Sequence, residues 1–214
     1  MAKFNLQGVQ FVASAPSVEK LPTVRDESGN VLPEVAVIGR SNVGKSSLLN
    51  MVFNTKSLVK TSSTPGKTRA INIFALKDTV AFADLPGYGY AAVSNEIQKE
   101  WAPMIKGYFE RRKGLTVTLF LFDIRRDPNE EDRRLMQWLA NQDKAVILVI
   151  TKTDKVSKGQ VQGRCKRILA GLGVENLHFI ACSALKKEGR DNLLRMLSDA
   201  LQNESQSNEQ PQTS

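Results

Sequence analysis

Short runs of apolar residues alternate along the chain with longer segments in which apolar and polar positions recur at helical spacing. An apolar run of about four to eight residues is long enough for a buried strand and too short for a helix. Such runs predict core strands at 35–38, 71–76, 80–83, 117–122, 145–150 and 177–181, with an extra edge strand at 9–15. The helical segments lie at 47–53, 95–112, 130–141, 159–169 and 192–201.

This alternation predicts an α/β fold in three layers, with helices on both faces of a mostly parallel sheet. The turn Lys77-Asp78-Thr79 joins two runs as a hairpin, so one strand should be antiparallel. We predict one main domain at 34–201, an N-terminal extension at 1–33 and a disordered polar tail at 202–214. Ligands bind such sheets at the carboxyl ends of the strands, and here polar loops follow several strands at that end.

The loop after the first core strand, from Gly39 to Ser46, reads GRSNVGKS and leads into a helix. This spacing is typical of P-loop nucleoside triphosphatases, in which backbone N–H groups form a nest for phosphate oxygens. Lys45 places a positive charge on the β- and γ-phosphates, and the Ser46 hydroxyl is suited to bind Mg²⁺. The predicted nucleotide contacts are Gly39, Arg40, Ser41, Asn42, Val43, Gly44, Lys45 and Ser46.

A second loop, Asp84-Leu85-Pro86-Gly87, follows the strand at 80–83. A carboxylate at this place can hold the water shell of Mg²⁺, and the Gly87 N–H can meet the γ-phosphate. The pattern D-x-x-G alone is a weak signal, because it also occurs in surface turns. Its position after a strand that neighbours the phosphate loop favours contact of all four residues with the nucleotide.

A third loop, Thr151-Lys152-Thr153-Asp154, follows the strand at 145–150 and is suited to bind a guanine base. A carboxylate accepts two parallel hydrogen bonds from guanine, whereas adenine would leave the desolvated carboxylate unpaired. The stem of Lys152 can lie across the base plane. The four residues therefore predict GTP or GDP as the ligand.

The segment at 55–70 is rich in hydroxyl side chains and contains a Pro-Gly turn, which is typical of a mobile loop. We expect one of its hydroxyls to bind Mg²⁺ together with Ser46. The spacing alone leaves both Thr64 and Thr68 open.

Five segments carry a wider resemblance: GRSNVGKSS, TPGKTRAIN, DLPGYGYA, TKTD and CSA. Together they are similar to the EngB/YihA/YsxC family of bacterial GTPases, which are Era- and TrmE-related and have a Ras-like fold. The resemblance covers about 9–201 and implies a Ras-like G domain that hydrolyses GTP slowly, with Mg²⁺, as a molecular switch. Family members are associated with large (50S) ribosomal subunit assembly and with cell division and septation. The implied partners are therefore the large subunit and its ribosomal RNA.

The resemblance also implies further site residues. It identifies Thr68 as the switch hydroxyl on Mg²⁺ beside Ser46, and we predict Lys45, Thr68 and Gly87 as catalytic residues. Nucleotide contacts are implied for Gly66, Lys67, Thr68, Arg69, Ala70, Cys182, Ser183 and Ala184. Thr151 stands where many GTPases have Asn, which leaves the contact of its side chain open.

Tyr88 follows Gly87, at the position where Ras-type enzymes have the glutamine that orients the attacking water. A phenol cannot present the same amide, so intrinsic hydrolysis should be slow until a partner or a monovalent cation completes the site. Arg40 and Arg69 are near enough in sequence to be considered as arginines acting in cis. Asn42 resembles a position that binds potassium in some relatives, so K⁺ is a possible cofactor besides Mg²⁺.

The chain has a net charge of +8, and much of the excess lies late in the sequence. The segment from Lys155 to Arg190 contains eight Lys or Arg residues and two Glu residues, which gives it a net charge of +6. The basic positions that we consider for RNA are Arg164, Lys166, Arg167, Lys186, Lys187 and Arg190. Such a bias in a nucleotide-binding protein favours a polyanionic partner, with RNA as the leading candidate.

The rest of the composition excludes several classes of protein. Cys165 and Cys182 are the only cysteines, too few for a zinc site, and indicate two reduced thiols in a cytoplasmic protein. His178, the only histidine, lies in an apolar run, which argues against a histidine-based nucleophilic triad. No apolar run reaches the length of a membrane span. We predict a monomer without membrane or DNA partners.

Two other functions remain open from the sequence. The chain could be a cell-division interaction protein that uses the nucleotide only structurally and recruits protein partners. An ATP-dependent kinase fits less well, because TKTD favours guanine and no site for an acceptor substrate is visible.

Overall fold

The computed structural model describes residues 4–60, 70–89, 95–174 and 177–207, with the backbone alone at 95–100 and 204–207. Within these residues the chain forms seven strands and five α-helices. The strands are β1 (Gln10–Ala15), β2 (Glu34–Gly39), β3 (Ile71–Leu76), β4 (Val80–Asp84), β5 (Leu115–Asp123), β6 (Ala145–Thr151) and β7 (His178–Ala181). The helices are α1 (Lys45–Val52), α2 (Asn95–Arg111), α3 (Glu130–Ala140), α4 (Lys158–Leu172) and α5 (Arg190–Ser207). None of these described helices is long and apolar enough to cross a membrane.

The strands form one sheet in the order β1-β3-β4-β2-β5-β6-β7. β3 is antiparallel to both of its neighbours, β1 and β4, whereas the other pairings are parallel. This confirms the predicted mostly parallel sheet with one antiparallel strand. Each strand begins and ends within two residues of the predicted bounds, because a buried run stops where polar turn residues begin.

Two apolar layers flank the sheet, because successive side chains of a strand point to opposite faces. In β2, Val35 and Val37 pack with residues of α1 and α5, whereas Ala36 and Ile38 pack with residues of α2, α3 and α4. Every residue of β2 and β5 is buried. Two of the strands that lead to the candidate site are therefore fixed on both faces.

The segment before β2 shares this core. Leu6 and Val9 belong to the layer of α1 and α5, and Val18 and Leu21 to the opposite layer. Between them, β1 lies at the edge of the sheet beside β3, in the range where the extra strand was predicted.

The C-terminal helix is longer than predicted. α5 ends at Ser207, six residues after the predicted end at 201, so the segment predicted to be a disordered tail from 202 begins as helix. The added residues contain no Pro or Gly that would stop a helix. Residues 208–214 lie outside the described residues.

A buried polar cluster joins α2 to the beginning of β2, at the amino edge of the sheet. The Tyr108 hydroxyl donates to the Glu34 carboxylate, and the Arg112 guanidinium pairs with the same group. The side chains of Arg112 and Glu34 are only 8% and 2% exposed. Because a buried charge that loses its partner is costly, this cluster holds the end of α2 firmly against the sheet.

Candidate nucleotide-binding site

Five loops begin at the carboxyl edge of the sheet, because the parallel strands β2, β4, β5, β6 and β7 end there. These strands end at Gly39, Asp84, Asp123, Thr151 and Ala181. Four of the five ends open loops that the sequence predicted to bind nucleotide. The remaining one, Asp123, was not predicted.

The phosphate loop turns tightly from β2 into α1. Gly44 precedes α1 with a φ of 107°, a backbone conformation that side chains rarely adopt. Gly39 has no room for a side chain, since an added Cβ would lie 2.8 Å from the Leu121 carbonyl oxygen. α1 then begins at Lys45, with Ser46 in its first turn. The positive end of this helix therefore faces the loop, which suits an anion.

Asp84, at the end of β4, has a carboxylate oxygen without a bonding partner in the described part of the chain. The residue is 4% exposed, and its Oδ1 accepts no hydrogen bond from any described residue. Burial raises the pKa of this carboxyl, while the charge of Lys45 lowers it. A buried, unpartnered oxygen beside a lysine fits the water shell of Mg²⁺, a cation that prefers oxygen ligands and keeps several waters. Within the described residues no three His, Cys, Asp or Glu cluster as an all-protein metal site.

The loop at 84–87 and the residue after it are bonded to the phosphate loop. The Ser41 N–H donates to the Tyr88 carbonyl at 2.9 Å, and the Tyr88 N–H donates to the Gly39 carbonyl at 3.3 Å. Gly87 lies so close that an added Cβ would be 3.0 Å from the Ser41 Cα. The backbone of Gly87 is therefore positioned beside the phosphate loop, where its predicted role needs it.

The Tyr88 side chain is buried, and its hydroxyl donates to Asp132 Oδ1 at 2.8 Å. Burial, and after it the Asp132 carboxylate, raise the pKa of this phenol far above its ordinary value. The Arg40 guanidinium lies 3.4 Å from the same carboxylate and 5.6 Å from the centre of the Tyr88 ring. The phenol is thus engaged with Asp132, which fits the prediction that it does not orient the attacking water; that role stays a prediction. The Arg40 side chain pairs with carboxylates of α3, which argues against its acting in cis as a catalytic arginine.

Thr151 joins the base-binding loop to the phosphate loop. Its hydroxyl donates to the Val43 carbonyl at 2.8 Å, with the Phe122 carbonyl at 3.2 Å as a second acceptor. The residue is 4% exposed. Many GTPases have Asn at this position, and the sequence left the contact of the Thr151 side chain open. In the structure this side chain bonds to backbone carbonyls of the protein itself.

Asp123 and Lys152 make a second connection between these loops, which the sequence prediction missed. Lys152 Nζ lies 3.0 Å from the Asp123 carboxylate and donates to the Asn42 carbonyl at 2.5 Å. Burial alone would raise the pKa of Asp123, but hydrogen bonds from Arg125 and Lys152 outweigh it and lower the pKa to about 2. The only signal in the sequence was a carboxylate directly after a buried strand, as at Asp84.

Asp154 lies beside the loop that contains Cys182 and Ser183. The Ser183 hydroxyl donates to Asp154 Oδ1 at 2.7 Å and is the main cause that lowers the pKa of this carboxyl. The group is therefore ionised at neutral pH, as guanine recognition requires. Cys182 is buried, and burial raises the pKa of its thiol to about 12, so it is unreactive. Its carbonyl accepts from the Thr153 N–H at 3.3 Å, which connects the two loops.

The remaining predicted residues fall into two groups. Those that the structure describes are Ala70, Leu85, Pro86 and Ala184, of which Leu85 is buried in the apolar layer that contains α2, α3 and α4. Those outside the described residues are Thr64, Gly66, Lys67, Thr68 and Arg69. The choice of Thr68 over Thr64 as the switch hydroxyl therefore stays a prediction.

Two arginines of the basic stretch that we considered for RNA are engaged within the fold, so their contact with RNA stays a prediction. Arg164 donates to two carbonyls of the loop after β5 and pairs with Asp127. Arg190 donates to the last two carbonyls of α1. The sequence counts their charge but does not show these acceptors. The basic side chains that remain exposed are Lys155, Lys158, Lys166, Arg167, Lys186 and Lys187.

Comparison with known proteins identifies the family. A family model described as 50S ribosome-binding GTPase matches residues 34–152. The chain is 52% identical over 195 residues to the probable GTP-binding protein EngB of Protochlamydia amoebophila, covering 91% of this chain and 95% of the relative. It is 48% identical over 162 residues to a protein of the same name from Geobacter metallireducens, covering 76% and 79%.

Two solved structures share the fold. A crystal structure of a probable GTP-binding protein engB matches with a TM-score of 0.65 at 22% identity, covering 79% of this chain and 99% of that one. Era, in complex with MgGDPNP and nucleotides 1506–1542 of 16S ribosomal RNA, matches with a TM-score of 0.64 at 27% identity. The match covers 79% of this chain and 56% of the Era chain. The predicted Ras-like P-loop fold is confirmed, and the chain belongs to the EngB family of GTP-binding proteins and is a GTPase.

Proposed function

We propose that this GTPase binds GTP and Mg²⁺ at the carboxyl edge of its sheet and acts as a molecular switch in assembly of the large ribosomal subunit. The main support for the site is the bonding of the three predicted loops to one another. The base loop is bonded to the phosphate loop through Thr151 and Lys152, and the loop at 84–87 through Tyr88. A single ligand that contacts all three loops fits this arrangement.

In this site Lys45 binds the β- and γ-phosphate oxygens, and the Gly87 N–H binds the γ-phosphate. Ser46 and Thr68 would hold Mg²⁺ through their hydroxyls, and Asp84 would hold it through water. The unpartnered Oδ1 of Asp84 supports this assignment. When bound, Mg²⁺ supplies positive charge that stabilises the transferring phosphoryl group.

Asp154 accepts the two N–H groups of guanine, while Ser183 orients its carboxylate. Without a water-orienting side chain at Tyr88, intrinsic hydrolysis is slow and depends on a partner or on a monovalent cation. Asn42 is the residue that we propose for potassium. Equal rates of single-turnover GTP hydrolysis in potassium chloride and in sodium chloride would contradict this role of Asn42.

The proposed role in ribosome assembly is supported by the positive charge of the protein and by its similarity to other GTPases. The matched family is described as ribosome-binding, and the related Era structure contains ribosomal RNA. Lys166 and Arg167 are exposed on α4, and Lys186 and Lys187 are exposed after β7. These groups provide a surface for phosphates on the part of the chain that also carries the guanine loops. A role in cell division and septation stays a prediction from the resemblance.

The test is co-sedimentation of the protein with large ribosomal subunits, with a GTP analogue or GDP. We expect binding in the GTP state, falling with salt at a log–log slope of roughly −0.7 to −0.9 per phosphate contact. Reversal of Lys166 and Arg167 to Glu should weaken binding and leave GTP affinity unchanged. The matched control reverses Lys20 and Lys113, which are also exposed but lie before β2 and after α2.

Equal binding by both charge-reversal variants would place the RNA contact elsewhere on the protein. Equal binding with GTP analogue and GDP would contradict the switch and favour a protein that uses the nucleotide only structurally.

A further inference from the structure

Arg40, Tyr88 and Asp132 form a buried polar cluster that joins the phosphate loop, the loop after β4 and helix α3. The Tyr88 hydroxyl donates to Asp132 Oδ1 at 2.8 Å, and Arg40 lies 3.4 Å from the same oxygen. Arg40 also reaches the Gly89 carbonyl at 3.4 Å and the Glu131 carboxylate at 3.3 Å. Asp132 lies outside the nucleotide motifs of the sequence.

Asp132 is held rigidly by its own helix. Its Oδ2 accepts from the Asn129 N–H at 3.0 Å, while the Asn129 side chain accepts from the Asp132 N–H, so the two residues cap α3. The Asp132 side chain is 1% exposed and that of Arg40 is 13% exposed. Hydrogen bonds between charged groups in such a setting are strong, and removal of one partner leaves a buried charge.

Tyr88 is therefore bound from two sides. Its backbone donates to and accepts from the phosphate loop, whereas its hydroxyl is bonded to α3. Its ring lies parallel to that of Phe120 at 6.4 Å and packs against Trp101 at 5.6 Å. Gly87, one residue earlier, contacts the phosphate loop without spare room. A displacement of the Tyr88 backbone would therefore also move the Gly87 N–H, its neighbour in the chain, relative to the phosphate loop.

We propose that Asp132 is a positioning residue of the GTPase reaction, which acts through Tyr88 to hold the Gly87 N–H at the γ-phosphate position. GDP lacks the γ-phosphate, so the loss of this anchor weakens binding of a GTP analogue more than binding of GDP. Helix α3 thereby becomes part of the mechanism that distinguishes the two nucleotides. This proposal rests on the nucleotide site proposed above.

The experiment measures the dissociation constants of fluorescent GTP-analogue and GDP derivatives for the full chain and its variants. For Tyr88→Phe, which removes the hydrogen bond, the ratio of GTP-analogue affinity to GDP affinity should fall by about threefold to tenfold, the range expected for one buried hydrogen bond. Asp132→Asn keeps an acceptor for Tyr88 and loses the charge that strengthens the bond, so its ratio should fall by no more than that of Tyr88→Phe. Because Asp132 acts through Tyr88, the double variant should fall no further than the larger single effect.

The second polar cluster supplies a matched control. Tyr108→Phe removes the same kind of buried bond at the amino edge of the sheet, away from the nucleotide site. There too a tyrosine hydroxyl donates to a carboxylate that also pairs with an arginine. Tyr108→Phe should lower thermal stability as Tyr88→Phe does and leave the nucleotide ratio unchanged. Glu131→Gln removes the half-exposed partner of Arg40, whose side chain is 52% exposed, and should also leave the ratio unchanged.

Trp101 gives a spectroscopic readout, because its indole N–H donates to the Pro86 carbonyl at 2.8 Å. In a Trp138→Phe background it is the only tryptophan. Its emission should change on binding of the GTP analogue to the parent, and this change should be at least halved in Tyr88→Phe. Phe retains the ring packing, so this variant tests the proposal even where Asp132→Asn fails to fold.

Equal nucleotide ratios in Tyr88→Phe, Tyr108→Phe and the parent would overturn the proposal, and so would multiplicative effects in the double variant. Failure of the parent to bind GTP at all would contradict the proposed nucleotide site instead. The two failures are therefore distinguishable.

Discussion

The hydroxyl of Thr151 is the simplest point at which to test how the loops are joined. In Thr151→Val the side chain keeps its shape and loses only the hydroxyl that donates to the Val43 carbonyl at 2.8 Å. The bond connects the base loop to the phosphate loop, and the residue is 4% exposed. We expect lower stability and weaker nucleotide binding, because one deletion affects both loops.

The magnitude follows from burial. A hydrogen bond contributes about 0.5–1.5 kcal/mol net, and leaving a buried carbonyl without its donor costs about 1–3 kcal/mol. We expect a loss of about 1–2 kcal/mol in the free energy of unfolding, because the carbonyl can regain part of this from water. For a chain of this size that loss corresponds to a fall in Tm of about 2–8 °C. Because the two loops are no longer preorganised, GTP affinity should fall by about threefold to tenfold.

Thr118→Val is the matched control, since the same atoms are exchanged in a neighbouring strand. Thr118 is fully buried, and its hydroxyl has no hydrogen-bond partner among the described residues. Removal of an unpaired buried hydroxyl should be neutral or stabilise the fold by up to about 1 kcal/mol. Urea unfolding and nucleotide titration of both variants are the assays. If the two variants behave alike in both assays, the Thr151 bond does not join the loops as we infer.

Three further predictions concern single groups of the site. Lys45→Ala or Ser46→Ala should abolish tight Mg²⁺·GTP binding, and an unchanged affinity in both would remove the phosphate-loop assignment. Asp154→Asn should shift preference from guanosine to xanthosine nucleotides, because the amide can still accept from Ser183 while its NH₂ faces the base; equal GTP binding in mutant and parent would contradict this. The folded pKa of Asp123, about 2, lies below its ordinary value of 3.8, so its stabilisation is present above about pH 4 and is lost as pH falls through 2. Asp123→Asn should therefore cost about 2 kcal/mol at pH 5 in urea unfolding, with a difference that shrinks towards pH 2; a constant difference would contradict the shift.

The strands and the phosphate loop could be predicted because their causes are local. Apolar runs define the strands, and Gly39 and Gly44 are required by a close approach to a carbonyl and by a positive φ. The extent of α5 could not be predicted, because nothing in the polar residues after 201 marks a stop. The identity of the switch hydroxyl came only from the resemblance, and it lies outside the described residues.

Side chains that bond to distant backbone could not be predicted. Arg164 and Lys166 are two residues apart on α4, and from the sequence each counts as one positive charge. The guanidinium of Arg164 is turned into the fold, where three acceptors bind it, while Lys166 is exposed. A net charge therefore overstates the charge that is free to meet a partner.

Asp84 and Asp123 show why the sequence context alone does not define a role. Both are carboxylates at the carboxyl end of a buried parallel strand, and both are nearly inaccessible to solvent. Asp123 accepts two hydrogen bonds from the Arg125 guanidinium and pairs with Lys152, so its charge is fully used in joining loops of the protein. Asp84 Oδ1 has no such partner among the described residues, and burial leaves the pKa of Asp84 raised, although the charge of Lys45 lowers it. An unpaired buried carboxylate is costly, and the charge of Lys45 offsets only part of that cost, so the unpartnered oxygen of Asp84 supports the Mg²⁺ that we propose there.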